Sequence, residues 1–107
     1  MLQEQESRKK HVMTLDHICA RLLISGKVQG VGFRIALRDQ ARQVGVVGWV
    51  RNTPDGYVEA YLEGGNAAVR RIISWCYGGP PQAQVERVQI QWQEPERTLT
   101  DFMIEYT

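Results

Sequence analysis

The 107-residue sequence has few of the side chains on which many catalytic and metal sites depend. It contains two cysteines, Cys19 and Cys76, and two histidines, His11 and His17. The cysteines form neither a CxxC pair nor a cluster with histidine at zinc-ligand spacing, so we expect no native disulfide and no zinc site. Both histidines lie in or beside a polar N-terminal segment, which argues against a Ser-His-Asp or Cys-His arrangement. Neither an HExxH motif nor a carboxylate cluster indicates a catalytic metal, and we expect no cofactor.

Long apolar runs and a large net charge are also missing. No window approaches the run of about 18 apolar residues that a membrane span requires, and the start, MLQEQESRKKH, lacks the apolar stretch of a secretory signal. We therefore expect a cytoplasmic protein with no membrane contact. Thirteen basic and 12 acidic side chains leave a formal charge of +1, which offers little attraction to nucleic acid. The apolar fraction of 43% and charged fraction of 23% are typical of a globular domain.

Polar, aperiodic residues occupy positions 1–16, and we interpret them as a flexible arm ahead of one domain at 17–107. The domain begins with HICARLLIS, which has the aliphatic density of a strand. A helix is predicted by the apolar spacing of FRIALRDQARQVG, whose last glycine suits a C-terminal cap. A hairpin follows, because VVGWVRNT and YVEAYLEG flank Pro54, Asp55 and Gly56.

A second helix and two more strands complete the pattern. Asn66 is expected to cap a helix whose apolar stripe includes Val69, Ile72 and Cys76, and VERVQIQWQ and DFMIEYT alternate as strands do. The order is β α β β α β, plus a final strand whose place in the sheet is left open. This order predicts an α+β fold, the ferredoxin-like split βαβ sandwich, with an antiparallel sheet and two helices on one face. Cys19 and Cys76 would then lie on opposite sides of the sheet.

The segment GKVQGVG, at positions 26–32, places three glycines between a strand and a helix whose first turn carries Arg34. A helix N-terminus attracts anions through its unpaired N–H groups and partial positive charge. Glycines at 30 and 32 would let consecutive amides point at one phosphate, and a guanidinium adds two oriented hydrogen bonds. The segment matches neither GxxxxGK[ST] nor GxGxxG. The same segment is also consistent with a tight strand-to-helix turn beside a solvated arginine, with no ligand bound.

Asn52 ends the second predicted strand, immediately before the turn. Alternation places it in phase with Gly48 and Val50, so Asn52 faces the helices if Val50 does. A neutral amide at that position would be able to orient a water molecule near the start of the first helix. Asparagine is also common at strand ends for structural reasons alone.

Two segments together, GKVQGVGFR at 26–34 and VGVVGWVRNTPDG at 44–56, resemble the signatures of the acylphosphatase family in their order and spacing. The resemblance runs from about Ala20 to Tyr106. It implies that backbone amides of a loop hold a phosphate, that Arg34 binds its oxygens and that Asn52 orients the attacking water. The matching loop consists of Gln29, Gly30, Val31, Gly32 and Phe33.

The resemblance implies a small acyl phosphate as substrate and inorganic phosphate as both product and competitive inhibitor. We expect a monomeric, metal-independent enzyme. One alternative is a phosphate- or carbamoyl-phosphate-sensing module that binds without turnover. Another is an RNA-binding domain, because the RNA-recognition motif shares the βαββαβ order and Tyr57 and Tyr61 could share an exposed face, although no RNP1-type sequence is present.

Overall fold

A computed structural model describes residues 16–106 of the chain. Nearly all of the expected arm at 1–16, together with His11, therefore lies outside the described residues, and the division into arm and domain stays a prediction. The described part contains five strands and two helices: β1 His17–Lys27, α1 Phe33–Val44, β2 Val47–Asn52, β3 Val58–Gly65, α2 Asn66–Gly78, β4 Gln84–Gln93 and β5 Phe102–Glu105.

The five strands form one sheet in the order β4-β1-β3-β2-β5. The first four are antiparallel, as the predicted split βαβ arrangement requires. β5 pairs with β2 in parallel, with Gly48 opposite Phe102 and Arg51 opposite Glu105, so the complete sheet is mixed and not wholly antiparallel. The reason is geometric: the chain leaves β4 at the end of the sheet where β2 begins, crosses to the opposite edge, and enters β5 running in the same direction as β2.

Both helices pack on one face of the sheet and enclose the apolar core. The predicted stripes are confirmed, since α1 buries Phe33, Leu37 and Ala41, and α2 buries Val69, Ile72, Ile73 and Cys76. The sheet contributes alternate residues, which include Ala20, Leu22, Ile24, Val50, Ala60, Leu62 and Phe102. Neither helix has the length and apolar character needed to cross a membrane, within the range that the structure describes.

The helix-free face carries a buried polar cluster centred on Glu63, which is only 1% exposed. Its carboxylate accepts hydrogen bonds from His17 Nε2 at 2.8 Å, the Tyr61 hydroxyl at 2.7 Å and the Arg97 N–H at 3.2 Å. Burial alone would raise the pKa of Glu63, but these hydrogen bonds outweigh it and hold the pKa below its ordinary value. The bond from Arg97 also fastens the segment that crosses from β4 to β5 against this face.

Cys19 lies on the same helix-free face, opposite Glu63 in the β1–β3 register, and is buried. Cys76 is buried in the core on the helix side. Both are free cysteines on opposite sides of the sheet, as the alternation predicted. Burial raises the pKa of both thiols. They are therefore protonated and unreactive near neutral pH.

The predicted cap of the second helix is wrong by one residue. Gly65 occupies the N-cap position with an extended backbone, and Asn66 is the first helical residue. The N–H of Asn66 donates to Asp16 Oδ2 at 3.3 Å, and its side-chain oxygen accepts from Arg70 Nε at 2.6 Å. The cause is that β3 continues directly into α2 without a connecting residue, so the cap falls on the last residue of the strand.

Candidate active site

The glycine loop between β1 and α1 is held to the core at three points. Val28 and Phe33, at its two ends, are almost fully buried, and Val31 packs partly against the same core. Between them, Gly30 and Gly32 are exposed and have φ values of 74° and 79°, in the left-handed region that favours glycine. A Cβ atom built at either glycine would meet no atom within 4 Å. The outer surface of the loop is therefore open to a ligand.

The start of α1 leaves backbone donors for such a ligand. The N–H of Ala36 donates to Gly32 O at 3.1 Å, which is the first hydrogen bond of the helix. The amides of residues 33–35 consequently have no acceptor within the helix. Gly32 supplies no side-chain cap, and no acidic residue lies in the first turn. These amides and the helix dipole together form a site suited to an anion.

Arg34 is the cation nearest to this site in sequence. Two other arginines on the same face of α1 are paired with acids: Arg38 Nε with Asp39 at 3.2 Å and Arg42 Nε with Asp101 at 3.1 Å. No acidic side chain in the described range forms an ion pair with Arg34. The charge of its guanidinium is thus available to an anionic ligand.

The guanidinium of Arg34 lies near the C-terminal end of β2. Its Cζ atom is 5.3 Å from the centroid of the Tyr106 ring. Tyr106 directly follows β5, and the parallel register places Glu105 opposite Arg51 of β2. Tyr106 therefore lies at the end of the sheet where Asn52 completes β2. The structure thus brings the two residues that the sequence singled out, Arg34 and Asn52, to the same end of the sheet.

Asn52 is the last residue of β2 and pairs with Val58 at the end of the hairpin. By alternation it shares a side of the strand with Val50, which is part of the core beneath the helices. Its side-chain oxygen Oδ1 is buried and accepts no hydrogen bond from any residue in 16–106. Most buried polar side-chain atoms have such a partner. Oδ1 of Asn52 is therefore an exception to this rule among the described residues.

Gln29 connects the glycine loop to the turn that follows Asn52. Its side-chain Nε2 donates to the carbonyl oxygen of Thr53 at 2.9 Å and to that of Tyr57 at 2.8 Å. The sequence predicted that Gln29 belongs to the loop, but not that its side chain reaches across to the hairpin. No local pattern could reveal this contact, because the two partners are 24 and 28 residues away.

The family model for acylphosphatases matches residues 20–104. The chain belongs to the acylphosphatase family. An acylphosphatase from Chloroflexus aurantiacus is 58% identical over 81 residues, which cover 76% of this chain and 88% of that protein. The structure of an acylphosphatase from Coxiella burnetii matches with a TM-score of 0.82 at 33% identity, over 87% of this chain and 97% of the other. An acylphosphatase from Bacillus subtilis matches with a TM-score of 0.80 at 30% identity, over 83% and 99%.

These comparisons confirm the predicted family and the ferredoxin-like fold of this acylphosphatase-family chain. Both signature segments, at 26–34 and 44–56, lie inside the matched residues. The roles of Arg34, Asn52 and the loop stay predictions. His17, the one histidine within residues 16–106, is hydrogen-bonded to Glu63 on the helix-free face and lies outside the glycine loop. Within residues 16–106, no three His, Cys, Asp or Glu side chains are grouped as metal ligands.

Proposed function

We propose that this chain hydrolyses the carboxyl–phosphate bond of acyl phosphates and releases a carboxylate and inorganic phosphate. Membership of the acylphosphatase family supports the reaction. The observation that carries the proposal is that three groups lie at one end of the sheet: an uncapped helix N-terminus, an arginine without an acidic ion-pair partner in the described range, and the asparagine that ends β2. All these groups come from one chain, so the proposed reaction requires no second copy.

In this proposal the loop and Arg34 hold the phosphoryl group. The backbone amides from Gln29 to Phe33 and the first turn of α1 donate to its oxygens, and the guanidinium of Arg34 adds two charge-assisted hydrogen bonds. These donors are already in place before the substrate binds, so little reorganisation is needed as charge redistributes in the transition state. Inorganic phosphate should occupy the same donors, which makes it a competitive inhibitor as well as the product.

Asn52 is proposed to orient the attacking water. Its side-chain amide holds the water by hydrogen bonding, and the oxygen of this water attacks phosphorus in line with the leaving carboxylate. The bond from phosphorus to the acyl oxygen breaks, and the carboxylate departs with the electron pair. One proton of the water passes to a phosphoryl oxygen and the other stays on the oxygen now bound to phosphorus, which yields inorganic phosphate.

The leaving group explains why so few protein groups suffice. A carboxylate has a solution pKa of about 4, so it departs without receiving a proton from a general acid. Arg34 and the loop amides can offset the phosphoryl charge, so the proposed chemistry includes no metal. Positioning and electrostatic preorganisation are the main contributions left for the protein to make.

Phosphate release from benzoyl phosphate and acetyl phosphate tests the proposal. The folded wild-type chain should hydrolyse both, and inorganic phosphate should inhibit competitively. Asn66→Ala is a matched control for Asn52→Ala, because Asn66 lies at the opposite end of β3 and its oxygen is already bonded to Arg70. Binding of phosphate without turnover by the wild type would refute the proposal and support a sensing module instead.

An RNA-binding role receives no support from the proposed exposed aromatic pair. Tyr61 is 1% exposed and its hydroxyl is bonded to Glu63, so it cannot stack with Tyr57 against a base. Stacking on exposed aromatic rings is the main contact of the RNA-recognition motif.

A further inference from the structure

We propose that Gln29 is a positioning residue that sets the separation between the phosphate-holding loop and Asn52, and that it affects turnover more than phosphate affinity. The inference rests on the proposed function, since it concerns the alignment of water with the phosphoryl group. It adds a role for the side chain of a residue that the proposed function uses only through its backbone.

The first support is the completeness of the contact. A glutamine amide nitrogen has two hydrogens, and both have an acceptor here, Thr53 O at 2.9 Å and Tyr57 O at 2.8 Å. These two carbonyl groups stand on the two arms of the hairpin turn, on either side of Pro54, Asp55 and Gly56. One side chain therefore fixes the loop against both arms of the turn.

The second support is that the turn is closed by hydrogen bonds of its own. The N–H of Thr53 donates to Tyr57 O at 2.9 Å, and the N–H of Gly56 donates to Thr53 O at 3.2 Å. The Thr53 hydroxyl bonds to Asp55 at 2.6 Å and accepts from the Tyr57 N–H at 3.0 Å. Asn52 directly precedes this closed unit and pairs with Val58 directly after it, so Asn52 and the turn are connected at both arms. The contact with Gln29 is thus not needed to form the turn, and its effect is to locate the turn relative to the loop.

The third support is that the loop also keeps its own anchors. Val28, Val31 and Phe33 attach it to the core independently of Gln29. Loss of the Gln29 side-chain bonds should therefore leave the phosphate donors in place and change mainly the separation between loop and turn. Misalignment of a reacting group by about 1 Å can lower a rate by about 100-fold.

Gln29→Met tests this directly, because methionine has nearly the same length and no N–H donor. The kcat for benzoyl phosphate should fall by about tenfold to 100-fold, while the inhibition constant of inorganic phosphate changes by less than about threefold. Gln43→Met, at an exposed position near the end of α1, makes the same chemical change away from the site and should leave both values unchanged. Unaltered kcat in a folded Gln29→Met protein would overturn the inference.

Gln29→Glu gives a second readout, because the hydrogen bond it can donate depends on pH. At neutral pH the introduced carboxylate faces two carbonyl oxygens that it cannot bond, but its protonated form can donate to one of them. The kcat of this variant relative to wild type should therefore rise as the pH falls through the pKa of the introduced carboxyl group. A ratio that stays flat with pH would contradict the inference, and this measurement decides the question if Gln29→Met does not fold.

A double substitution separates this inference from the proposed function. If Gln29 acts through Asn52, then Gln29→Met should lower kcat by less than about twofold when Asn52 is already alanine. An equal loss in both backgrounds would show that Gln29 acts elsewhere. If the wild type does not hydrolyse benzoyl phosphate at all, the proposed function fails; if it does and Asn52→Ala is impaired, the Gln29 variants alone decide the further inference.

Discussion

Replacing Asn52 with alanine should separate activity from stability. Because Oδ1 of Asn52 is buried and accepts no hydrogen bond from residues 16–106, the folded chain bears the cost of removing this oxygen from water. That cost is about 1–3 kcal/mol for a polar group without a partner. Asn52→Ala relieves it and loses side-chain packing worth about 1 kcal/mol at this half-buried strand end. The free energy of unfolding should therefore stay unchanged or increase by up to about 2 kcal/mol.

The rate should change in the opposite sense. Removing a preorganised group that aligns a reactant lowers kcat by about 100-fold to 1,000-fold. Since each factor of ten corresponds to about 1.4 kcal/mol, the loss of transition-state stabilisation is about 3–4 kcal/mol. The inhibition constant of inorganic phosphate should change much less, because the loop amides and Arg34 remain. Activity would thus fall in a protein that is at least as stable as the wild type.

Two measurements on the same preparations check this prediction. Urea unfolding in phosphate-free buffer gives the free energy of unfolding without stabilisation by a bound anion. Phosphate release from benzoyl phosphate at saturating concentration gives kcat. Asn66→Ala, the control, loses the hydrogen bond from Arg70 and should be destabilised by about 0.5–1 kcal/mol with normal kcat. If Asn52→Ala lowers the free energy of unfolding by more than about 1 kcal/mol, Asn52 is a structural residue and the reasoning is refuted.

Three further predictions follow from other parts of the structure. Arg34→Gln should abolish measurable hydrolysis and weaken inhibition by phosphate, because the guanidinium binds the phosphoryl oxygens. The control Arg71→Gln, at an exposed position of α2, should alter neither property. Normal turnover by a folded Arg34→Gln protein would refute the proposed anion site. The pKa of Glu63 is lowered on folding, so its ionised form stabilises the protein at pH values above the unfolded pKa of about 4.5, and this stabilisation is lost as the pH falls through the folded pKa. When the pH is lowered from neutral to 3, Glu63→Gln should therefore lose less of its free energy of unfolding than the wild type does, as measured by urea unfolding. Equal losses in the two proteins would contradict this. Gly48→Ala should lower the free energy of unfolding by at least about 3 kcal/mol, because a Cβ at this position would lie 1.8 Å from Tyr61 O and the φ of Gly48 is 146°. Thermal or urea unfolding measures this change, and an unfolding midpoint equal to that of the wild type would show that the strands can separate there.

Most of the fold could be predicted from the sequence, because each helix, strand and turn has a recognisable local sequence pattern. The apolar stripe of α2 and the turn at Pro54, Asp55 and Gly56 depend only on residues within one element or its neighbour. The parallel pairing of β5 could not be predicted in this way, because it depends on the path between β4 and β5. That path is held by hydrogen bonds from the Glu96 and Arg97 amides to Tyr61 and Glu63, which are more than 30 residues away.

The residues of the candidate site also differ in whether local sequence alone could identify them. Arg34 and the glycines at 30 and 32 could be identified from a short segment, because the chemistry of an anion site is local to a helix start. Asn52 became significant only through its alignment with a family signature, since its local sequence fits a structural residue equally well. The missing hydrogen bond at Oδ1 is a property of the whole packing around it and has no signature in the chain.

Gln29 shows why the geometry between two recognisable segments is the least predictable part of such a site. Each segment is coded locally, one by glycines before a helix and the other by a turn after a strand. Their separation depends on the packing of β1, β3 and β2 and on one side chain that spans from loop to turn. In-line attack is sensitive to this separation, because the water and the phosphoryl group are held by different segments. We therefore expect substitutions at the contact between the segments to alter kcat even where each segment folds correctly.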